Sequence, residues 1–177
     1  MSTAAESGGS IAVHYSGLRE RLISEQLVSS AVAADIAEQA RCQGATLVQE
    51  LLDKEIIDSE TLARLVSEEY GVPMFNLTPM VREHLPLDLV PQSLIRKHKA
   101  LPLYRRGNRL FIAIADPTNT SALAEFKFAT GIATDSVVVE QKQLLETISE
   151  VIAKQDEVFD GDIADFASAE DYIPDLD

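Results

Sequence analysis

The chain has 177 residues and a formal net charge of −14. Hydrophobic residues make up 46% of it, enough to bury the core of one medium domain or two small ones. The single cysteine, Cys42, excludes an internal disulfide, no apolar run approaches the roughly 20 residues of a membrane span, and the acidic balance argues against binding a nucleic-acid backbone.

The charge is unevenly placed. Nine acids and no Lys or Arg lie in residues 155–177, so the rest of the chain is only mildly acidic. Met1 to Ser10 is small and polar, lacks the basic and apolar regions of a secretory signal, and is expected to be disordered. Ile11 to His14 reads as a flexible lead-in. A lone thiol in a helix and no signal suit a cytoplasmic protein.

Four short helices come next. Gly17 to Glu25 presents Leu18, Leu22 and Ile23. Ser29 or Ser30 caps a second helix with Val32, Ile36, Ala37 and Ala40 on one face, ending near Gly44. Leu47, Leu51 and Leu52 make a third. Asp58 caps a fourth, with Leu62, Leu65, Val66 and Tyr70 at helical spacing and Gly71 as its stop. Helices this short must pack together to persist. They also repeat: Leu18, Leu22, Ile23, Leu27 and Val28 match Leu47, Leu51, Leu52, Ile56 and Ile57 at an offset of 29 residues. On residues alone, this is a duplicated helix-turn-helix unit.

Met74 to Leu77 is a strand-like link, and the Pro-punctuated stretch Thr78 to Pro91 reads as loop anchored by Leu85, Leu87, Leu89 and Val90. Pro91 opens a helix to about Lys99. Leu101–Leu103 and Leu110–Ile114 are the arms of a hairpin turning at Arg106-Gly107-Asn108, and the second arm is apolar enough to be buried on both faces. Asp116, Thr118 and Asn119 are N-cap types for a helix Thr120 to Thr130, closed by Gly131, with Leu123, Phe126 and Phe128 as its apolar face. Ser136 to Val139 is a third strand. Gln141 to Lys154 is a last amphipathic helix with Leu144, Leu145, Ile148, Val151 and Ile152 on one side. The tail, with isolated Val158, Phe159, Ile163, Phe166, Tyr172 and Ile173, reads as a linker.

The expected class is α+β: a disordered N-terminus (1–15), a four-helix subdomain (16–72), a small β-β-α-β-α subdomain (73–154) and a disordered acidic tail (155–177). No P-loop, dinucleotide fingerprint, Cys-x-x-Cys, His-Glu-x-x-His or nucleophile elbow occurs. His14, His84 and His98 fall in separate elements and form no metal-ligand pattern. The reading is therefore non-catalytic, with no cofactor or metal in this chain. One feature stands out. Between Asp88 and Asp116 there is no acid, while Arg96, Lys97, Lys99, Arg105, Arg106 and Arg109 are all basic. They form one positive surface if the two clusters face the same side. That surface is either a solvated face balancing nearby acids or a docking site for an acidic protein partner.

The stretch Leu101 to Gly131, LPLYRRGNRLFIAIADPTNTSALAEFKFATG, together with EEYGVPMFNL at Glu68 to Leu77, resembles the N-terminal domain of PilB-type ATPases of type IV pilus assembly, relatives of the GspE-type secretion ATPases. The resemblance runs from about Gly17 to Ile152. It implies a regulatory and docking domain of a hexameric pilus-extension motor, with ATP and Mg²⁺ confined to a downstream ATPase core. It implies cytoplasmic partners at the inner membrane: pilus assembly proteins or a PilZ-fold regulator. Some relatives carry tandem motifs resembling Arg-Leu-Gly-x-x-Leu-Val-x-x-Gly-Ile-Ile that bind cyclic di-GMP. Here the motif positions Leu18, Leu22, Leu27, Leu47, Leu51 and Ile56 are kept. The leading Arg-Leu-Gly falls on Gly17-Leu18-Arg19 and Thr46-Leu47-Val48, and the later glycine is Gln26 in one copy and Glu55 in the other. A cyclic di-GMP receptor and a stand-alone adaptor are the alternatives.

Overall fold

The computed structural model describes residues 17–168, with side chains to Lys154. The expectations for residues 1–16 and 169–177 lie outside the described residues. Seven α-helices and three strands are described: α1 Leu18–Ser24, α2 Ser30–Gln43, α3 Leu47–Asp53, α4 Ser59–Tyr70, α5 Gln92–His98, β1 Leu101–Arg106, β2 Arg109–Ile114, α6 Thr120–Thr130, β3 Ala133–Val138 and α7 Gln141–Ser168. Two 3₁₀ turns, Arg82–His84 and Leu87–Leu89, punctuate the Pro-rich loop.

The caps explain where the helices start. Ser29, Thr46, Asp58 and Asn119 side chains accept hydrogen bonds from Val32, Gln49, Thr61 and Ala122 backbone N–H groups. Each satisfies one of the donors that a helix N-terminus leaves without an internal partner. Helices α1 to α4 then close over Leu18, Leu22, Ile36, Val48, Leu51, Leu62, Leu65 and Val66, all buried. On α2 the buried stripe is Ala33, Ile36 and Ala40, while Val32 is exposed. Ile36 and Ala40 are buried as the spacing predicts, Ala37 is half-buried, and Ala33 takes the inward place expected for Val32.

The sheet has the order β1-β2-β3. β1 and β2 are antiparallel, with a register shift between Pro102 and Tyr104; β2 and β3 are parallel, joined by α6. Met74 adds one parallel bridge to Val138. β2 is buried from Leu110 to Ile114 except at Phe111, which is half-exposed beside Tyr104 near the hairpin tip. Leu101, Leu103, Leu110, Ile112, Phe126, Leu144, Ile148 and Val151 form the second core. Phe128 does not join it. It is 93% exposed, because the buried positions of α6 are Ala122 and Phe126 and Phe128 points to the opposite side.

Helix α7 continues to Ser168, beyond Lys154, so the first part of the acidic segment is helical. In the sequence, Phe159, Ile163 and Phe166 follow Ile148 and Ile152 at spacings of seven, four and three, which is helical periodicity.

The two cores meet at one junction. Val138 of β3 lies in the helical core, and Ala115 is packed against both cores. Just beyond Ala115 the Asp116 carboxylate is 6% exposed. Its Oδ2 accepts a hydrogen bond from Thr46 Oγ1 in the cap of α3, and its Oδ1 accepts from Thr118 N (2.9 Å) and Thr118 Oγ1 (2.5 Å). Removing this acceptor leaves two half-buried hydroxyls short of a partner. Asp116→Ala is expected to lower unfolding stability by about 1–3 kcal/mol in urea titration; a change within about 0.5 kcal/mol, the range of neutral surface sites, would show that the link contributes nothing.

Candidate functional site

Two features carry the candidate surfaces: the repeated turn of the helical unit and the basic hairpin.

The repeat is geometric as well as sequential. α1 and α3 have seven residues each. Each is followed by a residue with left-handed backbone, Gln26 at φ 58° and Glu55 at φ 49°. Next come a half-exposed residue (Leu27 37%, Ile56 38%), a buried one (Val28 7%, Ile57 9%) and the capping residues Ser29 and Asp58. The hydrogen bonds repeat too: Gln26 N and Glu55 N donate to the carbonyls of Ile23 and Leu52. The two positions where the motif has glycine are therefore positions that need positive φ. A close ligand approach is one reason for glycine there; the turn itself is another.

Of the other motif positions, Leu18, Leu22 and Leu51 are core residues, and Leu47 is packed partly against the same core. Thr46 caps α3 and binds Asp116, and Val48 is 1% exposed. Leu27 and Ile56 alone face outward. Around the second turn, Asp53, Glu55 and Asp58 share a cleft of about 330 Å³ with Lys99 and Lys142. The Thr61 backbone N–H, with help from nearby Lys142, holds the Asp58 carboxyl below its ordinary range. Carboxylates thus dominate this turn, a poor setting for a phosphate.

The hairpin divides the basic residues. Arg96, Lys97 and Lys99 sit at the end of α5, next to the start of β1, whereas Arg105, Arg106 and Arg109 surround the two-residue turn at its far end. The strand between them spans about 17 Å, five rises of about 3.3 Å. The single positive surface entertained from sequence is therefore two surfaces. The α5 group is largely neutralised. Lys97 Nζ donates to both Glu125 oxygens (2.8 and 2.6 Å), and His98 Nε2 lies 3.0 Å from the same carboxylate. Lys97 and then His98 hold Glu125 below the usual carboxylate range. Lys99 lies 3.9 Å from Asp53.

At the tip, Gly107 takes φ 59° to make the turn, and Arg105 Nε donates to its carbonyl at 2.9 Å. Arg109 Nη1 donates to Asp135 Oδ2 across to β3, also at 2.9 Å. Arg106, opposite Arg109 in the register, makes no hydrogen bond or ion pair among the described residues. Tyr104 stacks on Phe111 with ring centroids 4.5 Å apart and remains 41% exposed. Directly paired residues share a sheet face, so Tyr104, Phe111, Arg106, Arg109 and Asp135 lie together. A partly exposed aromatic pair flanked by arginines is the composition of a protein-binding hot spot.

The repeated turn generates a stability prediction. A side chain at left-handed φ costs roughly 1–2 kcal/mol, offset in part by the extra freedom of glycine in the unfolded chain. Gln26→Gly and Glu55→Gly are each expected to raise stability by up to about 1 kcal/mol. A loss of stability in both would mean that the side chains, not the backbone, hold these turns.

Comparison with known proteins places these surfaces in context. The MshEN domain family model matches residues 70–158, which takes in the whole α/β unit and leaves the repeat outside. The type IV pilus assembly ATPase PilB of Pseudomonas aeruginosa is 33% identical over 132 residues, covering 75% of this chain and 23% of that protein. PilB of Myxococcus xanthus is 30% identical over 138 residues, covering 78% of this chain and 24% of that protein. The chain therefore spans about a quarter of the length of these curated relatives. Among solved structures, MshE with cdg (cyclic di-GMP) superposes with a TM-score of 0.59 at 22% identity, covering 76% of this chain and 98% of that one. The N-terminal domain of XpsE gives a TM-score of 0.60 at 18% identity, covering 75% and 91%. These two share the fold, a helical unit with a small three-stranded sheet. With half of its residues matched by the family model and its sequence aligned to the pilus ATPases, this chain belongs to the MshEN domain family and is homologous to the N-terminal region of PilB.

Proposed function

We propose that this chain is a non-catalytic regulatory and docking domain of a type IV pilus extension motor ATPase. The whole protein would hydrolyse ATP with Mg²⁺ in a separate core, work as a homo-hexamer and sit in the cytoplasm against the inner membrane through its partners. Those partners would be pilus assembly proteins or a PilZ-fold regulator. The observation that carries the reading is the hairpin tip: Arg106 flanks the two-residue turn on the same sheet face as the partly exposed Tyr104–Phe111 pair and makes no ion pair among the described residues, while Arg105, paired with Leu110, flanks the turn on the other face. An arginine without an ion pair beside aromatic rings suits an acidic partner, since its planar guanidinium matches a carboxylate in two-point contact. The α5 group is the weaker part of this surface, because Lys97 already serves Glu125.

A second reading, a cyclic di-GMP receptor, is favoured by the repeat geometry and by the fold shared with MshE. Against it stand Asp53, Glu55 and Asp58 at the second turn and the absence of a basic residue at the leading motif positions, Gly17 and Thr46. Calorimetric titration of the chain with cyclic di-GMP is expected to give no saturable binding in the low-micromolar range. Such binding, lost on changing Leu27 and Ile56, would make the receptor reading the correct one.

The docking reading is tested with the immobilised chain and purified pilus assembly proteins. Reversing Arg105→Glu and Arg106→Glu together is expected to leave the fold intact, as exposed substitutions cost within about 0.5 kcal/mol. Partner affinity should fall by about 30-fold, on the order of 2 kcal/mol, and wild-type binding should weaken with added salt. Equal affinity in the reversed variant at low and high salt would place docking on another face.

A further inference from the structure

Helix α6 ends beside the hairpin turn. Gly131 closes it, and β3 then starts at Ala133, which pairs with Arg109 at the turn. Thr134 Oγ1 donates to the Leu123 carbonyl at 3.0 Å, so α6 packs on the sheet face that carries Thr134. Leu110 pairs with both Thr134 and Arg105, and paired residues share a face, so Arg105 emerges on the side of α6. Tyr104, Phe111, Arg106 and Arg109 lie on the other side. The buried positions of α6 are Ala122 and Phe126, while its outer face exposes Ser121, Ala124, Lys127, Phe128 and Ala129. Phe128 is 93% exposed; Val81, the next most exposed large hydrophobic residue among those described, reaches only 51%. Acids are scarce here. Residues 101–114 and 120–130 contain one, Glu125, and Lys97 pairs with it.

We propose that the outer face of α6, with Arg105 at its end, lies directly on an anionic lipid surface and that Phe128 enters the headgroup layer. Shape selects a lipid. The face is a convex helix of small side chains from which one ring projects, and a fluid headgroup layer closes around such a projection without a preformed pocket. Charge selects an anionic lipid. Lys127 adjoins the ring in sequence and Arg105 lies beyond it at the turn, so two cations reach the headgroups as the ring enters. The chain as a whole carries −14, but screening beyond about 8 Å at physiological ionic strength lets the local charge of this face decide. One ring and two cations give weak, reversible attachment, which strengthens when several chains are held in one assembly. The proposal does not rest on the docking reading. It uses the opposite side of the sheet from Tyr104 and Phe111, and its central test contains no protein partner, so the two fail separately.

The chain contains no tryptophan, so Phe128→Trp supplies a single reporter at the contact itself. Vesicles of phosphatidylcholine alone are compared with vesicles of phosphatidylcholine and phosphatidylglycerol in equal parts, by cosedimentation and by tryptophan emission. Binding is expected to the anionic vesicles only, with a blue shift of the emission and quenching by brominated acyl chains. It should reverse in about 1 M salt, where screening acts beyond about 3 Å. In the otherwise unaltered chain, Phe128→Ala should weaken binding about tenfold, and Lys127→Glu about 25-fold, from roughly fivefold per unit of charge. Both positions are exposed, so the unfolding transition should stay in place. Arg19→Glu, on α1 in the helical unit, should bind as the parent chain does. Absence of cosedimentation with the anionic vesicles overturns the proposal. Binding that leaves the emission unshifted and is insensitive to Phe128→Ala also overturns it, because charge alone would then hold the chain to the surface. Loss of capture by purified pilus assembly proteins in Phe128→Ala, without vesicle binding by the parent chain, would overturn it in favour of a protein partner.

Discussion

The arrangement of this domain depends on one buried carboxylate. Asp116 sits at the end of β2, where the chain leaves the sheet, and reaches across to the cap of α3 through Thr46. A buried acid is tolerated when its lone pairs are filled, and here Thr46 and Thr118 fill them. Thr46 at the same time accepts from Gln49 N, so the link ties a helix start in the repeat directly to a strand end. Val138, placed by its bridge to Met74 and its pairing with Ile114, puts a β-branched side chain into the helical core at the same junction. Four short helices that could not stand alone thus acquire a rigid neighbour.

That junction gives the two candidate surfaces a fixed relation. The repeated turns lie on the helical side, where two residues accept left-handed backbone without being glycine. The turn geometry of the motif survives there while its electrostatics have become acidic. The hairpin tip lies at the far end of the strands, rigid because the turn is only two residues long and because Tyr104 stacks on Phe111. One surface retains a shape, and the other has the charge and aromatic content that recognition of an acidic protein requires.

Much of the fold is legible in the sequence because local signals agree with each other. Ser29, Asp58 and Asn119 start helices, Gly44, Gly71 and Gly131 end them in left-handed conformation, and the hairpin turn is written as Gly107-Asn108. What escapes is set by contacts distant in sequence. Phe128 follows the helical count only loosely, and its full exposure emerges once Ala122 and Phe126 take the buried side of α6. Asp116 is legible as a cap type, yet its partner Thr46 is 70 residues away. The six bases read as one run, but a strand lies between the two groups, and sequence adjacency says nothing about the pairing of Lys97 with Glu125 or of Arg109 with Asp135. The helical periodicity beyond Lys154 is carried by Phe159, Ile163 and Phe166, and the density of acids around them masks it.

The central claim is that the helical repeat and the α/β unit form one cooperative body through the Asp116 junction. Native-state hydrogen exchange on the intact chain tests it most directly. The account predicts that the slowest amides of α4, at Leu65 and Val66, and of β2, at Ile112 and Ala113, open with the same free energy and the same denaturant dependence, as members of one unfolding unit. Exchange of the α4 amides through a separate, lower-energy opening, while β2 stays protected, would contradict it.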